Sequence, residues 1–111
     1  MNDHIEAQTW LKKLDDAEYE SCWHSAAEYF RNGVALVEFV DKVKISRGGL
    51  GQIQSRELNK SQETEGLVGP SGKCLICEYK SVFSEVGEIG ERLTLQQEDD
   101  GQWRAVGYYL I

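Results

Sequence analysis

The sequence predicts an α+β fold in which three N-terminal helices pack on a curved four-stranded antiparallel sheet. Apolar residues recur at helical spacing in the first part of the chain and alternate with polar residues, at the strand period of two, in the second part. Near the end, Asp99, Asp100 and Gly101 separate two alternating runs, which is a strong hairpin signal. At 111 residues the chain has the size of one domain, so we expect residues 1–111 to fold as a single unit.

Three helices are predicted before the strands. The first runs from Asp3 to Leu14, and the second begins at Asp15 or Asp16 and continues to about Arg31. The segment from Val34 to Arg47 contains β-branched residues that also suit a strand. We predict a third helix there because helical spacing is kept by Leu36, Val40, Val43 and Arg47.

Four strands follow in the predicted order of a meander. The first strand spans Leu50 to Asn59, and a long connection with the only proline of the chain spans Lys60 to Gly72. The second strand spans Lys73 to Phe83, and the stretch from Glu91 to Ile111 holds the last hairpin. Because consecutive strands with short connections are usually antiparallel neighbours, we expect the helices to cover one face of this sheet.

The turn of the last hairpin decides which residues face the helices. A three-residue loop from Asp99 to Gly101, with Gly101 in the left-handed conformation, separates an apolar face from a polar face. The predicted inner face consists of Ile89, Glu91, Leu93, Leu95, Trp103, Ala105, Gly107, Tyr109 and Ile111. We therefore expect Trp103 and Tyr109 to lie in the core of the hairpin.

Glu91 is the one ionisable residue on this predicted inner face, so it is the best candidate for a functional residue. A carboxylate in an apolar environment must be paired, hydrogen-bonded or protonated. One interpretation is a structural ion pair with Arg47 or Arg56. The other is a general base in an apolar cavity, with Tyr79, Tyr108 or Tyr109 as hydrogen-bond donors to a developing oxyanion.

The composition disfavours several classes of function. Nineteen acidic and twelve basic residues give a net charge of −7, which repels nucleic acid. Cys74 and Cys77 fall in a predicted strand, where residues three apart point to opposite faces, so we do not expect them to bind a metal together. Nucleotide and phosphate motifs are missing, and we expect neither a cofactor nor a metal site.

The sequence is compatible with two compartments. The chain contains no apolar run of the ~20 residues that span a bilayer, and its start has no apolar signal segment. If Met1 is the native start, the protein is expected in the cytoplasm. If a signal peptide was removed, it is exported or periplasmic.

A spaced set of residues along nearly the whole chain resembles a known pattern. The set is Trp10-Leu11, Asp15, Tyr19, Trp23, Arg47, Gly51, Ser55-Arg56, Pro70, Gly72, Phe83, Glu91, Asp100 to Arg104, and Gly107-Tyr108. It is similar to the family of small bacterial domains of unknown function numbered 4019. The resemblance implies a cystatin-like or nuclear-transport-factor-two-like half-cone, no established activity, and export from the bacterial cytoplasm.

Three functions remain after these exclusions. The first is a non-catalytic module that binds an unknown small ligand or a protein partner, and the second is a small isomerase- or hydrolase-like enzyme with Glu91 as general base. The third is a homodimer that associates through the sheet, with Tyr108 on the exposed face. A cavity of at least ~300 Å³ lined by Glu91 favours the enzyme, whereas Glu91 paired with Arg47 or Arg56 in a packed interior favours a structural role.

Overall fold

The computed structural model describes residues 3–65 and 72–111. Within these residues four helices precede four strands, and the sheet has the order β1-β2-β3-β4 with all neighbours antiparallel. The elements are α1 (Asp3–Asp15), α2 (Tyr19–His24), α3 (Glu28–Gly33), α4 (Leu36–Arg47), β1 (Ile53–Glu65), β2 (Lys73–Phe83), β3 (Gly87–Gln97) and β4 (Trp103–Leu110). The predicted α+β class and the predicted meander are confirmed.

The prediction of three helices is wrong in number, because the second predicted helix is divided into α2 and α3. Ala27 is extended, with φ −64° and ψ 151°, and its N–H donates to the carbonyl of Ala105 in β4 at 2.8 Å. The hydroxyl of Ser25 donates to the carbonyl of Ser21 at 2.8 Å, a local bond that competes with continued helix formation. A bond to the sheet therefore interrupts the helix that the apolar spacing predicts.

The first strand is longer than predicted and extends to Glu65, which pairs with Lys73. The predicted connection from Lys60 to Gly72 is therefore wrong over its first part, and residues 66–71 of it lie outside the described residues. Backbone pairing with β2 accounts for the extension, since the side chains there are polar and mostly exposed. The second strand has the predicted bounds.

The three-residue hairpin loop is confirmed. The N–H of Glu98 donates to the carbonyl of Gln102 at 2.9 Å, and Gly101 has φ 84°. This leaves Asp99, Asp100 and Gly101 as the loop, with the glycine in the left-handed conformation that it adopts without steric cost.

A β-bulge farther along the same hairpin changes which residues face the core. Leu95 pairs with Ala105, but Thr94 pairs with Gly107, so β4 contains one additional residue at Val106. All side chains after the bulge are on the opposite face from the one predicted. The prediction that Tyr109 lies in the core is therefore wrong: Tyr109 is 60% exposed, and Tyr108 packs against the core instead. Trp103 precedes the bulge and packs against the core as predicted.

The core lies between the sheet and the helices. Helix α1 packs on β2 and β4, α3 packs on β4, and α2 packs against both α1 and α4. All three cysteines are buried, and burial raises the pKa of the Cys22 thiol to about 12, which makes it a poor nucleophile. Across the described ranges, none of the helices has both the length and the hydropathy that crossing a bilayer requires.

Candidate functional site

Four charged side chains of alternating sign form a ring, here called the charge cluster: Asp15, Arg47, Glu91 and Arg56. Arg47 bonds the Asp15 carboxylate at 2.7 Å and the Glu91 carboxylate at 3.1 Å. Arg56 bonds Asp15 at 2.8 Å and Glu91 at 2.7 Å. Each arginine therefore bridges both acids, and the formal charges of the cluster sum to zero.

Each member of the charge cluster is placed by a different element. Asp15 ends α1, Arg47 ends α4, Arg56 lies on β1 and Glu91 lies on β3. A cation at the end of α4 is favourable because helix C-termini carry partial negative charge, whereas an anion at the end of α1 is not. The two arginines compensate Asp15, and the guanidinium of Arg47 also lies 5.1 Å from the ring centre of Phe83.

Two further side chains complete the environment of the Glu91 carboxylate. The hydroxyl of Ser81 donates to Oε1 at 2.6 Å, and the hydroxyl of Tyr108 donates to Oε2. With Arg56 on Oε1 and Arg47 on Oε2, each carboxylate oxygen accepts two hydrogen bonds. The side chain of Glu91 has no exposed surface. The carboxylate is thus fully hydrogen-bonded and sealed from solvent.

The cluster shifts the protonation equilibria of its members. Burial opposes ionisation of Asp15, but the hydrogen bonds and charges of Arg56 and Arg47 outweigh it and lower the pKa of Asp15 below the ordinary 3.8. Burial, and then the charge of Glu91, raises the pKa of Tyr108, so its phenol is protonated and can donate. Burial acts against the charge of both arginines, but Tyr108 and then Glu91 and Asp15 raise the pKa of Arg47, and hydrogen bonds with Asp15 and Glu91 raise the pKa of Arg56.

An apolar cleft of about 460 Å³ opens between α4 and β4. This α4–β4 cleft is lined by Trp10, Phe30, Val34, Phe39, Lys42, Val43, Ser46, Ala105, Gly107, Tyr108, Tyr109 and Leu110. Phe39 and Val43 are nearly buried, while the side chain of Lys42 is 71% exposed and stands at the rim. The Trp10 ring centre lies 6.3 Å from that of Phe39 and 5.8 Å from that of Tyr108. The cleft therefore has aromatic walls and a polar rim.

Tyr108 belongs to both places. Its ring lines the cleft, and its hydroxyl accepts a hydrogen bond from Arg47 at 2.8 Å while it donates to Glu91. Glu91 itself is not among the residues that line the cleft. The charge cluster thus lies behind one wall of the cleft and does not open into it.

The structure brings Glu91, Arg47 and Arg56 together, as the ion-pair interpretation predicts. Tyr79 is buried opposite Glu91 on the neighbouring strand, but its hydroxyl is not one of the four groups that bond the carboxylate. Tyr109 lies apart from the cluster: it pairs with Arg92, is largely exposed and lines the α4–β4 cleft.

Sequence reasoning missed Asp15 and Ser81 as partners of the cluster, and it named Tyr108 as a candidate donor but placed it on the exposed face of the sheet. Ser81 had a usable signal, because it is a polar residue at an inward-facing position of a strand whose other inward residues are apolar. Asp15 carried no such signal, since an acid at a helix boundary usually indicates a cap. Within the described ranges, no group of three or more His, Cys, Asp or Glu side chains is placed to hold a metal ion.

Comparisons with known proteins agree with the fold. The model of the family described as Protein of unknown function (DUF4019) matches residues 6–108. The 1.8 Å structure of Aln2 from a Streptomyces species is similar in fold, with a TM-score of 0.52 and 11% sequence identity over 96% of this chain and 88% of that chain. No curated protein matches the sequence.

Proposed function

The chain belongs to the DUF4019 family, and because that family has no established activity, we propose from the geometry alone that the protein is a non-catalytic binding module. Its ligand site is the α4–β4 cleft. The observation that carries this proposal is the contrast between an apolar cleft of about 460 Å³ open to solvent and a carboxylate, Glu91, that is sealed behind it.

The cleft has the properties of a small-ligand site. Its volume lies within the roughly 300–1,000 Å³ of ligand pockets, and such pockets combine apolar walls with a few polar groups that set orientation. Here the walls are aromatic and aliphatic, and the polar groups are Lys42 and Ser46 of α4. We therefore propose a ligand that buries an apolar group against Trp10 and Phe39.

The alternative, an enzyme with Glu91 as general base, finds less support. A general base must reach the proton that it abstracts and must have a free lone pair to accept it. Both oxygens of Glu91 already accept two hydrogen bonds each, and two of the donors are guanidinium groups. In the proposal the charge cluster is a structural brace that holds the wall residue Tyr108 in place, which reduces the ordering cost of binding.

A second concavity, between α3 and the β3–β4 hairpin, is a weaker candidate. Its volume is about 610 Å³, but its lining is largely polar. Arg104 there bonds Glu98 at 2.6 Å and Asp100 at 2.9 Å, so its charge is already compensated within the chain.

Titration with the apolar fluorophore anilinonaphthalene sulfonate tests the proposal. We expect saturable binding that the variant Ser46→Phe weakens at least tenfold, because a phenyl ring at the rim fills the cleft. Lys44→Phe is the matched control, since Lys44 is exposed on the same helix and does not line the cleft. A folded protein that binds no fluorophore, or that binds it equally well in both variants, would contradict the proposal.

A further inference from the structure

We propose that the natural occupant of the α4–β4 cleft is an extended polypeptide segment that adds to β4 as a fifth strand. This inference rests on the proposed function and names the class of ligand for the same site. Strand addition to a sheet edge combines backbone hydrogen bonds, which supply affinity, with pockets for alternate side chains, which supply specificity. Both components are present along β4.

The backbone of β4 offers hydrogen-bonding groups that face away from the sheet. Gly90 and Ile111 exchange two backbone hydrogen bonds, of 3.2 and 2.9 Å, so they form a hydrogen-bonded pair. Hydrogen-bonded and non-hydrogen-bonded pairs alternate in an antiparallel ladder, which turns the N–H and C=O groups of Leu110 and Tyr108 toward the free edge. No described residue pairs with these groups from that side.

The chain itself already uses this edge at one point. The N–H of Ala27, just before α3, donates to the carbonyl of Ala105 at 2.8 Å. That contact covers the edge only before the bulge at Val106. The uncovered part follows the bulge, and it coincides with the part of β4 that lines the cleft, from Gly107 to Leu110. A strand that continued this pairing would therefore lie over the cleft opening.

The two outer strands of the sheet differ in how their edges are protected. Natural proteins protect exposed edges with charged side chains and bulges. Strand β1 has charges at Glu57, Lys60, Glu63 and Glu65 and two register shifts. In β4, the residues from Val106 to Leu110 carry no charge. The β4 edge is thus available for pairing where the β1 edge is guarded.

The side chains of the cleft indicate the chemistry of the segment. Side chains of an added strand alternate between the helix side and the outer side, so every second one enters the cleft. The floor, formed by Phe39 and Val43, suits an apolar residue. Lys42 is the charged side chain of the lining, and its bond to Glu38 is long, at 3.5 Å, and exposed. We infer an apolar residue at one cleft-facing position and an acidic residue at the next.

The probe for this inference is a set of acetylated and amidated seven-residue peptides. Threonine occupies the odd positions, and the even positions carry valine, then leucine or phenylalanine, then glutamate. We expect saturable binding, with changed amide signals and slower hydrogen exchange at Tyr108 and Leu110 in nuclear magnetic resonance spectra. Replacing glutamate by lysine in the peptide, or Lys42→Gln in the protein, should weaken binding at least threefold at low salt.

Backbone methylation distinguishes strand addition from simple burial of an apolar group. Peptides N-methylated at alternate residues form two series, and only one series has its methyl groups toward β4. We expect one series to lose affinity at least tenfold and the other to keep it. Equal affinity of both series would overturn strand addition. If anilinonaphthalene sulfonate binds in the cleft and none of the peptides does, this inference fails while the proposed function stands; if neither binds, both fail.

Discussion

The charge cluster and the α4–β4 cleft lie on opposite sides of Tyr108, and they differ in polarity, in access to solvent and in hydrogen bonding. The cluster is polar, sealed and internally compensated, with each oxygen of Glu91 accepting two hydrogen bonds. The cleft is apolar, open and about 460 Å³ in volume. Under the proposed function, the buried carboxylate serves to position the wall residue Tyr108, and the ligand contacts the apolar residues of the cleft.

The largest expected effect is on stability, when the cluster loses its central acid. Glu91→Gln leaves Arg47 and Arg56 with one carboxylate between them in a nearly water-free environment. Removing one partner of a buried ion pair costs about 3–5 kcal/mol in the free energy of unfolding. Denaturation in urea measures this loss, and Glu88→Gln, an exposed position on the same strand, is the control. Equal stability of the two variants would show that the cluster is not a brace.

A smaller effect is expected in the coupling between Asp15 and Arg56. A double-mutant cycle with Asp15→Asn and Arg56→Met should give an interaction free energy of about 0.5–3 kcal/mol, because the two side chains share a buried network. The comparison is the partly exposed ion pair of Arg92 and Glu78, whose charged atoms are 2.8 Å apart. Exposed ion pairs have interaction free energies of about 0.2–1 kcal/mol. If the Asp15–Arg56 interaction free energy is no larger than that of Arg92 and Glu78, the charge cluster contributes no more to stability than a surface ion pair.

A still smaller effect should appear in the dependence of stability on pH. The pKa of Asp15 is lower in the folded state than its ordinary value of 3.8, so the unfolded chain binds more protons as the solution is acidified. The stabilisation from Asp15 is therefore complete above about pH 5 and is lost as the pH falls through the folded pKa. Unfolding free energies measured from pH 6 to pH 2 should fall less steeply for Asp15→Asn. Identical slopes would contradict the ionised state assigned to Asp15.

The sequence predicts the parts of this arrangement that depend on local pattern. Glu91 stands out as a carboxylate among apolar residues at alternate positions, and Arg47 as a cation at the end of a helix. Asp99, Asp100 and Gly101 specify the hairpin loop, which the structure confirms. Each of these features is encoded by residues that are close together in the sequence, so periodicity and turn chemistry are sufficient to find it.

The remaining features depend on tertiary contacts. The bulge at Val106 reverses the faces of the rest of β4. Regular alternation without a bulge predicts Tyr109 in the core, whereas Tyr108 packs there. Gly107 was a signal, because a glycine within a strand often marks a bulge, but it does not fix which residue is added. The division between α2 and α3 depends on the bond from Ala27 to Ala105, which helical spacing does not encode.

The variant Tyr108→Phe tests the central claim most directly, because it removes the hydroxyl that bonds Glu91 and Arg47 and keeps the ring that lines the cleft. We predict a loss of about 1–3 kcal/mol in the free energy of unfolding, from buried polar groups that lose a partner, together with anilinonaphthalene sulfonate affinity within about twofold of the unaltered protein. Unchanged stability, or an equally stable protein that no longer binds the fluorophore, would contradict the separation of a structural cluster from a binding cleft.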